Sequence, residues 1–201
     1  LLWRVALPTG HSSPVVWGDR IFLTGFDGEQ LLTFAIDRKN GALLWQRGVP
    51  PRDIERGSRN GNPASSTPCT DGRRVHVYFG SFGLVTYDLA GDELWRRELP
   101  VPVTQHGAST SPVLAGDQVL LVVDQDVGSH MLSFDAATGE TRWRTERHGY
   151  RRGFSTPILW PADHPTQFIL PGTLRLNGYA LVDGSEQWTV RGLPNEMVSS
   201  P

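Results

Sequence analysis

The sequence predicts an all-β fold, a β-propeller of four-stranded antiparallel blades, on three observations. First, Gly, three residues and Trp recur in GALLWQRG, GDELWRRE, GETRWRTE and GSEQWTVR. They end at Trp45, Trp95, Trp143 and Trp188; with Trp3 as a fifth member, successive gaps are 42, 50, 48 and 45 residues. Second, a Ser/Thr–Pro series runs in step, closing at Pro14, Pro68, Pro112, Pro157 and Pro201 with gaps of 54, 44, 45 and 44. Third, each unit breaks into short strand-like runs divided by Gly and Asp, and no stretch carries a helical period. Two independent signatures at one period define a repeat, and four short strands in about 45 residues make one propeller blade.

The unit at 106–149 shows the elements in order. SPVLAGD gives a short strand and a turn, QVLLVVD a Val-rich buried strand, and HMLSFDAATG an alternating strand with its turn. ETRWRTE alternates again, with Trp143 on one face and Arg142 and Arg144 on the other. The turn before each last strand calls for positive φ, which explains Gly41, Gly91, Gly139 and Gly184. The Trp four residues on is a wedge that a sheet needs to bury its face against a neighbouring blade. The Ser/Thr residues let inner strands crowd together, and Pro at a strand start costs no ladder hydrogen bond.

One propeller segment over 1–201 is expected. It has a blade end at 1–10, blades at about 11–50, 62–100, 106–148 and 153–194, and the start of another at 195–201. A partial ring of about four blades is expected, with further blades on the same chain.

Composition bounds the function. The 201 residues are 38% apolar and 20% charged with a net charge of -2, an ordinary globular balance rather than a basic nucleic-acid binder. The longest apolar run, around Val119–Val123, is far short of the ~18 residues that span a bilayer. Cys69 is the one cysteine, so neither an internal disulfide nor a multi-cysteine metal site can form in this span. Gly-x-Ser-x-Gly, a Gly-rich phosphate loop and His-Glu-x-x-His are all missing, and no catalytic residue is assigned.

The pattern small–x–Asp–x–x–x–Gly–x–x–x–Trp appears as Ala35, Asp37, Gly41, Trp45 and as Ser133, Asp135, Gly139, Trp143. TYDLAGDELW is the same motif one residue shorter, and ALVDGSEQW is similarly short, with Leu181 in place of the Asp. This resembles the tryptophan-docking motif of pyrroloquinoline-quinone-like (PQQ-like) propeller repeats over nearly the whole chain. That family includes periplasmic quinoprotein alcohol dehydrogenases, a lipoprotein scaffold of outer-membrane protein assembly, and sensor domains of bacterial kinases. The resemblance implies a periplasmic or extracellular location. It implies three functions: a non-catalytic scaffold for a protein or small-molecule partner, a quinoprotein dehydrogenase using pyrroloquinoline quinone with calcium, or an extracytoplasmic sensor. The dehydrogenase resemblance also implies a disulfide between adjacent cysteines and a calcium held by Glu, Asn and Asp. A lone Cys69 and the lack of an acidic loop favour the scaffold without a cofactor. DQDVGSH at 124–130 comes nearest to a calcium loop but lacks its distal Glu.

Binding residues are expected where loops gather on one face: 50–63, 100–108, 146–154 and 191–198, joined by 26–30, 80–83, 124–130 and 171–177. The long loop PPRDIERGSRNGNP offers Arg56, Arg59, Asn60 and Asn62, as a binding face or as a solvated insertion. His11 and His106 precede the first strands of two units, as ligand-facing imidazoles or as products of repeat descent. RWRTERHGYRR is the most basic stretch. Its first half reads as a charged outer edge strand, and Arg151 and Arg152 are candidates for an acidic partner or lipid headgroups.

Overall fold

The computed structural model describes residues 2–54, 61–195 and 200. Sixteen strands form four separate four-stranded sheets, each a meander in sequence order, and no helix occurs among the described residues. Blade 1 is β1 (Val15–Trp17), β2 (Arg20–Phe26), β3 (Leu31–Asp37) and β4 (Leu43–Val49). Blade 2 is β5 (Cys69–Thr70), β6 (Arg74–Phe79), β7 (Gly83–Asp88) and β8 (Glu93–Glu98). Blade 3 is β9 (Val113–Ala115), β10 (Gln118–Val123), β11 (His130–Asp135) and β12 (Thr141–Glu146). Blade 4 is β13 (Ile158–Trp160), β14 (Gln167–Gly172), β15 (Arg175–Ala180) and β16 (Glu186–Arg191). These are propeller blades. Leu1–Ala108, with blades 1 and 2, form one compact unit, and Ser109–Pro201, with blades 3 and 4, form another.

Burial follows strand chemistry. The two middle strands of a blade are apolar on both faces, as in β10, where Val119 to Val123 are all buried. The last strand alternates, as in β4, where Trp45 is buried between exposed Leu44 and Gln46. In the first unit, Phe22, Leu31, Ala35, Trp45 and Val49 of blade 1 pack against Val75, Val77, Phe79 and Tyr87 of blade 2. In the second, Leu120, Val122 and Met131 of blade 3 meet Phe168, Leu170 and Tyr179 of blade 4, with Trp143 against them.

The repeated Gly and Trp belong to one contact. Trp3, Trp45 and Trp143 each lean on the Gly turn of the blade that follows. The Trp45 indole lies on Gly91, whose φ is +87°, and a Cβ there would come within 2.8 Å of the ring. Trp45 Nε1 then donates to the Leu89 carbonyl at 3.0 Å. Trp3 lies on Gly41 and donates to the Arg38 carbonyl at 2.9 Å; Trp143 lies on Gly184 and donates to Leu181 at 3.1 Å. The Gly therefore serves twice, as a left-handed turn and as a bare backbone surface for an indole. Trp188 differs: its Nε1 donates to Gln167 of its own blade, and its ring lies over Gly178.

A bulge aims each of these side chains. Ala35 pairs with Trp45 but Ile36 with Leu43, which leaves Leu44 as the extra residue. The same register shift precedes Trp95, Trp143 and Trp188. An extra residue bends the outer strand and re-aims the next side chain.

The Ser/Thr–Pro series also makes a defined contact. Ser13 N donates to Thr67 Oγ1 at 2.9 Å, Ser111 N to Thr156 Oγ1 at 3.1 Å, and Thr156 N to Ser200 Oγ at 3.0 Å. Each hydroxyl satisfies a backbone donor one repeat earlier, where the first strand has no partner on that side. The stretch 2–8, expected to finish a blade, makes no ladder of its own, and its nearest strand-like contact is the bridge Thr9–Phe26.

Candidate functional site

The loop ends of blades 3 and 4 carry the most developed polar constellation among the described residues. Arg147, just past β12, is only 3% exposed. Its Nε and Nη2 reach the Asp124 carboxylate at 2.7 and 2.9 Å, and its Nη1 donates to Tyr179 Oη at 2.5 Å. The guanidinium also sits 3.8 Å from the centre of the Tyr150 ring. Tyr150 Oη in turn donates to Asn177 Oδ1 at 2.7 Å. Gly172 leaves space for this cluster, since a Cβ there would come within 2.6 Å of Arg147 Nη2.

Burial raises the Asp124 carboxyl above its ordinary value, although Arg147 opposes this. Burial also opposes the Arg147 charge, but Asp124 and Tyr179 outweigh it and hold that guanidinium charged. Burial likewise raises the Tyr179 phenol. A pair so enclosed is a brace rather than a proton donor or acceptor for a ligand. The first Asp of DQDVGSH, Asp124, is thus committed to Arg147.

The brace supports a surface. Arg147 N donates to Ser129 O at 2.8 Å, and Ser129 Oγ donates to Tyr150 O at 3.0 Å, tying loop 124–129 to loop 147–157. Above them lies a hollow of about 290 Å³ lined by Asp126, Glu146, His148 and Arg151, among others. Arg152 Nε binds Asp126 Oδ1 at 2.5 Å, while Arg151 holds Thr173 through its backbone and leaves its side chain exposed.

In the first unit, His11 N donates to Ala64 O at 3.0 Å, and Asn62 caps Ala64 N at 2.8 Å and donates to Thr9 Oγ1 at 3.3 Å. His11 and Asn62 thus come together, with the imidazole exposed and the amide spent on fastening the loop. His106 is exposed in a turn where its N–H meets Thr104 Oγ1 at 3.3 Å. Arg56, Arg59 and Asn60 lie outside the described residues.

Two features escape the sequence reading. Arg147 pairs with a residue 23 positions away, and no local pattern encodes that. A larger hollow of about 810 Å³ opens at the opposite, hairpin-turn end, lined by Gln118, Arg142, His164, Pro165 and Val182, among others. One signal for it was present: the β13–β14 turn holds six residues, 161–166, where β1–β2 has two.

Repeated meander blades, wedged within each unit by a Trp on the next blade's Gly turn, define this chain as a propeller-repeat protein. The family described as outer membrane protein assembly factor BamB matches residues 29–193, and the chain belongs to this family of PQQ-like propeller repeats. Solved structures agree on the fold. BamB from Moraxella catarrhalis is 18% identical with a TM-score of 0.63, over 92% of this chain and 52% of that one. The quinohemoprotein alcohol dehydrogenase from Pseudomonas putida HK5 is 14% identical with a TM-score of 0.76, over 98% and 36%. That from Comamonas testosteroni is 13% identical with a TM-score of 0.67, over 94% and 36%. The chain therefore spans about half or less of the length of these proteins. No curated protein matches the sequence.

Proposed function

We propose that the chain is a non-catalytic binding scaffold of the outer-membrane-assembly kind, working in the periplasm or outside the cell. Its loop face takes a protein partner. The observation that carries this reading is the family match over residues 29–193. The braced loops support it: Arg147 and Asp124 fix the floor, and Arg151 and His148 stand exposed above. A rigid floor lowers the ordering cost of binding.

The dehydrogenase reading rests on fold likeness, and function does not follow from fold. Its calcium-held quinone does not fit the donor groups of this span. Among the described residues no three of His, Cys, Asp or Glu gather to hold a metal, and Cys69 has no cysteine neighbour. The proposal therefore includes no cofactor and routes no step through one. No helix among the described residues is long and apolar enough to cross a membrane.

A photo-crosslinking residue at position 151, on the intact protein in cells, tests the scaffold. The expected result is a discrete adduct with a component of outer-membrane protein assembly, absent when the crosslinker sits at position 94 on the outer strand. Saturable binding of pyrroloquinoline quinone and calcium, with dye-linked alcohol oxidation, would replace this reading with an oxidoreductase.

A further inference from the structure

Arg175 opens β15 and Arg191 closes β16, and the register places them directly opposite each other. Like charges in that position repel and destabilise a sheet. Neither makes an ion pair among the described residues. Arg175 instead lies 5.5 Å from the centre of the Tyr150 ring, the ring that also takes Arg147. The two arginines line a hollow of about 320 Å³, with Leu174, Gly192 and Leu193 completing its wall.

The backbone there is held in an unfavourable form. Leu174 has a φ of +63°, the one non-glycine residue with positive φ among those described. Three bonds lock it: Leu174 N to Pro194 O at 3.1 Å, and Gly192 N and Leu193 N to Leu174 O at 3.1 and 3.3 Å. Strain in a bulky residue, over-determined by its surroundings, marks sites that present something. What is presented is an apolar side chain, 53% exposed, beside two guanidinium groups that have no ion pair among the described residues.

We infer that this hollow is a docking site for an acidic, leucine-bearing peptide segment of a protein partner. Carboxylates would bridge Arg175 and Arg191 in the two-pronged geometry that guanidinium favours, and an aliphatic side chain would cover Leu174 and Leu193. Arg151 stands near this site, because its backbone is bound to Thr173. The inference deepens the scaffold reading by naming the partner's chemistry, and it rests on that reading.

Fluorescence anisotropy on the intact protein tests it, with a labelled nine-residue peptide of glutamate and leucine as the probe. The wild type should bind saturably and lose affinity several-fold between low and high salt. Arg175→Gln and Arg191→Gln should each bind about tenfold more weakly, the loss of one charge-assisted contact. Both variants should melt no lower than wild type, because each removes a repulsion. No saturable binding, or binding by both variants as tight as that of the wild type, overturns the site. So does equally effective competition by inorganic phosphate, which would mark a small-anion site instead. The crosslink from position 151 still reads the scaffold separately, so the two failures are distinguishable.

Discussion

Trp45→Ala is the most informative single change. Trp45 is 7% exposed, touches Phe22 and Tyr87 at ring-centre distances of 5.9 and 5.8 Å, and bonds Leu89 O through Nε1. An aromatic of this size buries about 150–250 Å², and truncating it in a core costs about 3–5 kcal/mol. Roughly 1 kcal/mol of that is the hydrogen bond, so Trp45→Phe should lose much less. The partner position sharpens the test. Gly91→Ala places a Cβ against the indole and forces a left-handed φ on alanine. Once the indole is gone, the clash goes too and only the φ penalty remains. A double-mutant cycle should therefore show coupling of about 1–3 kcal/mol between the two sites. Urea unfolding at 25 °C, followed by far-UV circular dichroism, measures all four proteins. A loss below about 1 kcal/mol for Trp45→Ala, or strict additivity in the cycle, would refute the wedge.

Three further outcomes are expected. Trp95, also 7% exposed and 5.8 Å from the His76 ring, should cost about 3–5 kcal/mol on truncation to Ala in the same urea assay. His76 is fully buried, with Nδ1 on Thr86 Oγ1 at 2.8 Å and Nε2 without a partner, and burial lowers its pKa from 6.5 to about 4. Below pH 6.5 the unfolded chain takes up a proton that the folded one refuses, so stability falls with pH and levels off near 4. The fall totals roughly 3 kcal/mol, and His76→Phe should flatten it in urea titrations across that window. Asp124→Asn leaves a buried guanidinium uncompensated and should cost about 3–5 kcal/mol, while Asp124→Asn with Arg147→Met should recover part of that loss in thermal melts.

The fold was legible because its evidence is periodic. Gly41, Gly91, Gly139 and Gly184 with their tryptophans set the blades, and alternation in ETRWRTE set the outer strand. The partner of each wedge was not legible in full. The sequence asked for a glycine on turn grounds alone, whereas the indole lying on Gly91 asks for it again. The hydroxyls were read as merely small, yet Thr67 and Thr156 each hold a backbone N–H about one repeat away. The site was harder still. Arg147 reads like its neighbours Arg144 and Arg151, and only a partner 23 residues upstream separates a buried brace from a solvated charge. Arg175 and Arg191 form a pair only once the register of β15 and β16 is known.

The indole hand-over gives the molecule a set of built-in reporters. Trp45 holds the seam between blades 1 and 2, and Trp143 that between blades 3 and 4, each by one part-buried N–H beside the apolar core of its unit. An indole proton so bound exchanges with solvent only when its own seam opens. Two resonances thus time the breathing of two seams separately, with no label added. Trp188, bonded within its own blade, supplies the internal reference for a proton that no seam controls.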